Sequence, residues 1–193
     1  MDYGSGPQVW SVPVPHDDDG FLFDHSRINR IDLTLGPDEE EILRRERVFT
    51  SPRNEVHGLA TLDGEDVGEI GIRLRGGLGS FSRYDDKPKW ELDFNEVTGE
   101  RYLGLESLSL NNAAEECAGA RDHLAFYVNG LGGVPTSRTG HAQLFVNGLD
   151  YGMSIVLETQ DDRWLKRNFA NNDGNFYDGG YAQAGPWPLF LDS

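Results

Sequence analysis

Two tight turns, each flanked by alternating apolar residues, constrain this chain more than any other feature. Asp63-Gly64 opens the turn between residues 56–62 and 67–74, and Asn147-Gly148 separates 142–146 from 151–157. Both dipeptides accept the positive φ of a short hairpin turn, so each predicts a pair of antiparallel strands. Other runs also alternate with period two. Ile28, Ile31, Leu33 and Leu35 predict a strand over 28–35, and Trp90, Leu92 and Phe94 predict another. Leu103, Leu105, Leu108 and Leu110 predict an extended stretch that ends at Asn111-Asn112.

The period changes in three places. Pro37, followed by four acids and closed by Arg44 and Arg45, predicts a helix over 37–47, with its charges matched to the helix dipole. Leu124, Tyr127, Val128 and Leu131 fall at i, i+3, i+4 and i+7, which predicts a helix over 119–131 stopped by Gly132-Gly133. A third, short helix is expected over 161–169. Strand, helix, several strands, helix, hairpin and helix, with no internal repeat, give an α+β expectation: a largely antiparallel sheet with a few helices.

At 193 residues the chain is long enough for one good-sized domain or two small ones, with a real core. Its 33 acids against 17 basic residues leave a net charge of −16. That field repels phosphate backbones and anionic lipid, so no nucleic acid and no membrane partner is expected. No apolar run is long enough for membrane insertion. Cys117 is the single cysteine, so no intramolecular disulfide forms. The five histidines show no i, i+4 pairing and no serine partner, which gives hydrolase chemistry no support. Residues 1–20, rich in Gly and Pro and ending in Asp17-Asp18-Asp19-Gly20, read as a flexible linker rather than a leader.

Few residues carry candidate chemistry. Gly76-Gly77-Leu78-Gly79-Ser80 lies between two strands, and its backbone can approach a phosphate or serve as an ordinary hairpin loop. Lys87 and Lys89, two of only three lysines, follow it at the start of a strand. A solvated surface lysine is the default reading, and their place next to the loop also suits phosphate contacts. Glu158 ends the second hairpin, facing either a ligand or water. Arg121 opens the central helix, against the dipole, and suggests an acidic partner or an exposed site that tolerates it. The oxygen-rich run from Asn171 to Asp178 imitates a calcium loop without the Glu at its twelfth position, and a polar turn is the alternative.

Taken in order, these pieces resemble the CotH kinase family, named after a spore-coat protein. The likeness starts at Phe21-Leu22-Phe23-Asp24 and Ile31-Asp32-Leu33-Thr34-Leu35, and continues through Val67-Gly68-Glu69-Ile70-Gly71-Ile72-Arg73-Leu74-Arg75-Gly76. It includes Lys87-Pro88, Leu92-Asp93-Phe94-Asn95, Leu103-Gly104-Leu105 and Leu108-Ser109-Leu110-Asn111-Asn112. Arg121-Asp122-His123-Leu124-Ala125, Phe145-Val146-Asn147-Gly148, Tyr151-Gly152 and Glu158 before Trp164-Leu165 follow, and Gly174-Asn175-Phe176-Tyr177 closes the series. The likeness covers residues 21–181, leaving 182–193 as a tail.

The resemblance implies an ATP- and magnesium-dependent kinase that phosphorylates serines in protein partners, secreted or associated with a cell surface or coat. It also implies a fold like the small lobe of a protein kinase, with a large lobe of the same polypeptide as its partner. On that mapping Arg75, Gly76, Gly77, Gly79 and Ser80 cover phosphates, Lys87 pairs with them, and Glu158 lies near the cleft between lobes. The family often has a second basic residue in the lysine strand, where this chain has Glu91. Its catalytic and metal-binding acids lie downstream of Gly-Asn-Phe-Tyr. The 193 residues are therefore expected to be an N-terminal part of the domain, with no catalytic or metal residue of their own and no activity alone. A second expectation is a non-catalytic extracellular or surface protein-binding module that uses calcium through Asn171 to Asp178.

Overall fold

Alternation decides which side chains meet, and here every strand turns one face inward. In the computed structural model, which describes residues 19–50, 52–77, 79–113, 119–171 and 173, the elements are β1 (Asn29–Thr34), α1 (Pro37–Arg45), β2 (Glu55–Leu62), β3 (Glu65–Arg75), β4 (Lys89–Asp93) and β5 (Ser107–Asn111), followed by α2 (Arg121–Leu131), β6 (Thr139–Val146), β7 (Leu149–Glu158) and α3 (Asp162–Asn168). A 3-10 turn, Asp19–Phe23, precedes β1. The two hairpins form as expected, β2 with β3 and β6 with β7.

The sheet corrects the expected fold class. It is not the open, largely antiparallel sheet of a kinase small lobe but a closed barrel of seven strands in the order β1-β2-β3-β4-β5-β7-β6, with three short helices. Closure comes from β1 running parallel to β6, pairing Ile31 with Leu144 and Leu33 with Val146, which makes the sheet mixed. Period-two alternation buries the same side chains whether a sheet is open or closed, so the pattern in each strand carries no trace of the seam. Ile31, Leu33, Leu62, Ile72, Leu74, Leu92, Leu108 and Leu144 are at most 1% exposed. The barrel is therefore a packed core and not a channel.

Both hairpin turns dock on β1. Asp63 and Asn147 adopt φ of 51° and 49°, the left-handed region that short Asp and Asn side chains tolerate. The Asp63 amide donates to the Arg30 carbonyl at 2.8 Å, and Asp63 Oδ1 accepts from the Arg30 amide at 2.7 Å. At the other end of β1, the Asn147 amide donates to the Leu33 carbonyl. The Asn147 side chain accepts from the Leu35 amide at 2.9 Å and donates to the Leu35 carbonyl at 3.1 Å. A side-chain amide thus extends the parallel ladder past the end of β6.

One end of the barrel is filled by aromatic rings. Trp90, Tyr84 and Tyr151 pack edge to face with centroids 5.8–6.0 Å apart, and Tyr84 donates to Glu40 of α1 at 2.7 Å. At the other end the 3-10 turn lies across β6 at Gly140. A Cβ there would sit 2.0 Å from the Leu22 carbonyl oxygen, so only glycine admits the turn. No described helix is long and apolar enough to cross a membrane.

Helix α2 differs from its amphipathic pattern. Leu124, Tyr127, Val128 and Leu131 are 56–62% exposed, and no α2 residue is buried. Of the stripe that the spacing marks as a core face, Leu124 and Val128 stay exposed and Tyr127 and Leu131 edge a cleft beside the barrel, while His123 and Phe126 are half-buried against it.

Asn147→Gly should keep the turn geometry and lose the side-chain bonds to Leu35 and Glu40. Three partly exposed hydrogen bonds make the expected loss about 1–3 kcal/mol. Urea unfolding monitored by tryptophan fluorescence measures it, and an unchanged midpoint would remove Asn147 from the seam.

Candidate functional site

The outer face of β3, β4, β5 and β7 carries polar side chains, because the inner face takes the apolar ones. In the row Arg73–Glu91–Ser109–Leu157, each residue is the register partner of the next. Glu91 is 7% exposed and accepts from Arg73 Nε at 2.6 Å. Its other oxygen lies 3.7 Å from Arg75, whose Nη1 donates to Ser109 Oγ at 2.6 Å. The hydrogen bond to Glu91 holds the Arg73 guanidinium above its ordinary pKa, against the effect of burial. The Glu91 departure from the family pattern is therefore an internal counter-ion that orients two arginines.

Above this face lies a cavity of about 490 Å³, bounded by the ends of β3, β5 and β7, the start of β4, and Phe126 of α2. Arg75 and Lys89, register partners on β3 and β4, stand at its edge. The Lys89 ammonium has no hydrogen-bond or ion-pair partner among the described residues. Asn111 contributes an amide that donates to Asp122 in the first turn of α2, which fixes the helix beside the cavity.

The sequence candidates separate on this geometry. Arg75, Gly76 and Glu158 line the cavity together. Lys87 does not: its side chain lies beside Gly152, whose missing Cβ would be 3.7 Å from Lys87 Cε. Gly152 precedes Glu158 by six residues, roughly 20 Å along a strand. Gly77, Gly79 and Ser80 form a turn closed on itself. The Ser80 and Phe81 amides donate to the Gly77 carbonyl, and the Gly77 amide donates to Ser80 Oγ. Arg53 donates to the Gly76 carbonyl at 2.7 Å. Three loop amides thus have acceptors inside the loop.

Glu158 borders the cavity, yet its carboxylate is engaged on the far side. Only 4% exposed, it accepts from the Arg138 backbone amide and guanidinium and from Arg167. Arg138 in turn pairs in a two-point contact with Asp19, which also accepts from Arg163. This ionic cluster ties the 3-10 turn, β6, β7 and α3 together. Arg121 lies 3.8 Å from Asp122 and is half exposed. Of the oxygen-rich run, only Asn171 and Asp173 are described, joined by an Asx turn of 3.0 Å. Cys117, Leu78, residues 1–18, Gly174-Asn175-Phe176-Tyr177 and the tail 182–193 lie outside the described residues.

Among the described residues, two carboxylate groups approach metal-ligand spacing, Glu55 with Asp93 and Glu96, and Glu106 with Asp161 and Asp162. In the second, Arg101 pairs with Glu106 and Asp162, Lys166 pairs with Asp162, and Asp161 caps α3. In the first, burial pushes the Glu55 and Asp93 carboxyls up, and neighbouring acids add to it. The sequence spacing concealed both groups, as it concealed a histidine cluster. His25 and His123 have ring centroids 3.8 Å apart, and His141 lies 6.1 Å from His123. Residues on a loop, a helix and a strand meet only through barrel closure.

A folded carboxyl with a raised pKa binds more protons than the unfolded one, so stability falls as pH rises above the ordinary value of 3.8 for Asp93. Asp93→Asn, which keeps an acceptor for the Asn95 amide, should raise the melting temperature at pH 7. The gain should vanish below pH 3.8. A thermal scan across pH measures this, and a loss of stability at pH 7 would show that the acids are held by compensation the fold supplies.

A family model described as CotH kinase protein matches residues 72–189, more than half of the chain and most of the motif series quoted above. No curated protein matches the chain. On the family match and the ordered motifs, the chain belongs to the CotH kinase family.

Proposed function

We propose that this chain contributes the nucleotide-contacting barrel of an ATP-dependent protein serine kinase of the CotH type, with ATP phosphates at Arg75 and Lys89. The observation that carries the reading is the pairing of these two cations at the edge of a 490 Å³ cavity, in a chain of net charge −16, with no counter-ion to Lys89 among the described residues. Cations so placed draw in a polyanion that the rest of the surface repels. Glu91 and Ser109 hold the Arg75 guanidinium in place, which lowers the ordering needed on binding. Gly76, with φ of 108° and backbone atoms within 3.1 Å of its Cβ position, keeps the strand end close to the cavity.

The residues fit a nucleotide better than its metal. Among the described residues, Glu158 is the one carboxylate on the cavity wall, and it is engaged by two arginines, so none of them is assigned to magnesium. When bound, ATP supplies the phosphoryl group and magnesium neutralises its charge. What this chain's own side chains do is hold phosphate oxygens through Arg75 and Lys89 and wall the cavity through Phe126 and Leu157. The proposal extends to protein serine as acceptor and to a secreted or coat-associated setting, on the family resemblance alone.

Lys89→Ala should weaken ATP binding about tenfold or more, the scale of one lost charge-assisted bond. Lys87→Ala should change it less than about twofold, because Lys87 lies at Gly152. Calorimetry with ATP and magnesium reads both. The opposite ranking would move the phosphates to Lys87, and no ATP binding by the unmodified chain would favour a non-catalytic binding module.

A further inference from the structure

Helix α2 buries no residue, and side-chain hydrogen bonds hold it beside the barrel. Asn111 donates to Asp122, and His123 Nδ1 bonds Thr139 Oγ1 at 2.6 Å. The second bond belongs to a cluster of three imidazoles. His25, on the loop before β1, meets His123 edge to face with ring centroids 3.8 Å apart, and His141 of β6 lies 6.1 Å from His123. A carbonyl only accepts, so His25 Nε2 donates to the Thr139 carbonyl at 2.7 Å and His141 Nε2 donates to the Gly119 carbonyl at 3.1 Å. Thr139, 4% exposed, also places its hydroxyl 3.4 Å from His25 Nε2, so one buried oxygen serves both rings. With His25 as the donor, that hydroxyl donates to His123 Nδ1, a bond that the neutral ring accepts and the protonated ring cannot.

The surrounding charges do not compensate a proton there. On the loop, Asp24 flanks His25 but accepts from the Ser26 amide and hydroxyl, and Arg27 follows. On α2, Arg121 and Asp122 precede His123, and Asp122 accepts from Asn111. Arg138, the Tyr127 phenol and Arg167 of α3 face the same cleft as His25 and His123, and the acids that pair with the two arginines are Asp19 and Glu158. Beside His141, β1 and β7 place the uncharged Asn29 and Ile155. Among the described residues, no carboxylate lies within ion-pair distance of the three rings. Burial first, then His25 and His141, hold the His123 imidazole below its ordinary pKa of 6.5. Docked α2 thus binds fewer protons than released α2, so docking is strongest above pH 6.5 and weakens as the pH falls below it. We propose that the three histidines form an acid-sensitive latch: α2 stays on the barrel while His123 is neutral, and a proton on His123 releases it. Release carries Phe126 out of the wall of both cavities, whatever those cavities bind.

The test is amide hydrogen exchange and histidine NMR on the full chain, from about pH 7.5 to about pH 5.5, above the ordinary carboxylate range. Protection factors across α2, corrected for the pH dependence of intrinsic exchange, should fall about tenfold or more while those of β2 and β3 hold. The nuclear Overhauser contact between the His123 ring and the Thr139 methyl should fade as His123 takes its proton. His123→Asn keeps an acceptor for the Thr139 hydroxyl and cannot be protonated, so its α2 should be equally protected at both ends of the range. His25→Gln keeps a donor for the Thr139 carbonyl and removes the imidazole that crowds His123, so His123 should titrate at higher pH there. This second variant decides the matter if His123→Asn fails to dock α2 at the upper pH. Four results would each overturn the proposal. They are an α2 equally protected at both ends in the unmodified chain, and protection lost from the barrel strands as much as from α2. The others are a docked His123→Asn that still releases α2 on acidification, and a His123 titration unmoved by His25→Gln.

Discussion

Everything else in this fold depends on β1 being held from both sides. It pairs antiparallel with β2 and parallel with β6, and each neighbour's hairpin turn captures backbone groups at one end of it. Asp63 takes the amide and carbonyl of Arg30, and Asn147 takes those of Leu35. Parallel ladders gain slightly less per residue than antiparallel ones and need a long crossover, so a five-residue parallel seam is the weakest joint in the barrel. Satisfying the backbone groups just beyond the ladder, where they would otherwise face water or each other, strengthens the seam at its margins. With the seam closed, the strand edges disappear and the apolar faces of all seven strands share one interior.

Closure also arranges the charge. With the interior packed by Leu, Ile, Val and Trp side chains, arginines and acids are driven to the outer face and the barrel ends. Two clusters result. One, Glu55–Arg73–Glu91–Arg75, crosses the outer face and leaves Lys89 unbalanced beside it. The other, Asp19–Arg138–Glu158–Arg167 with Arg163, staples the chain's first described turn to α3. In an acidic chain a cation such as Lys89, without a counter-ion among the described residues, is where an anion gains most by binding. Breaking a buried pair leaves an uncompensated charge, so these clusters also fix the geometry they sit in.

The hairpins were legible because their information is local: Asp63-Gly64 and Asn147-Gly148 state the turn, and the flanking residues state the register. The seam was not, because Ile31 and Leu144 are 113 positions apart and each looks the same in an open sheet. Lys87 and Lys89 show the same limit at a finer scale. Two positions apart on a strand, they carry the same charge next to the same loop, yet one rests against Gly152 and the other borders a cavity. The family likeness was legible only as an ordered series, and it carried Arg75, Gly76 and Glu158 to one wall while implying a sheet that the barrel replaces. The histidines were invisible because helical or strand spacing never brings His25, His123 and His141 together.

Helix α2 shows why a pattern can be right about an element and wrong about its partner. Its stripe of Leu124, Tyr127, Val128 and Leu131 has the spacing of a core face, but the barrel has no room for it: the interior is already filled by strand residues. The helix is instead held by a few polar contacts, Asn111 to Asp122 and His123 to Thr139, with Phe126 leaning on the barrel. Burial pushes the His123 imidazole below its ordinary pKa, and His25 and His141 push it the same way, so the neutral ring is the form that fits. An element with no buried residue is drawn from the low end of local stability. Phe126 lines both cavities, so a small shift of α2 changes the volume of each. The wall that the two cavities share is thus a helix with no buried residue, held beside the barrel by side-chain hydrogen bonds rather than by a core.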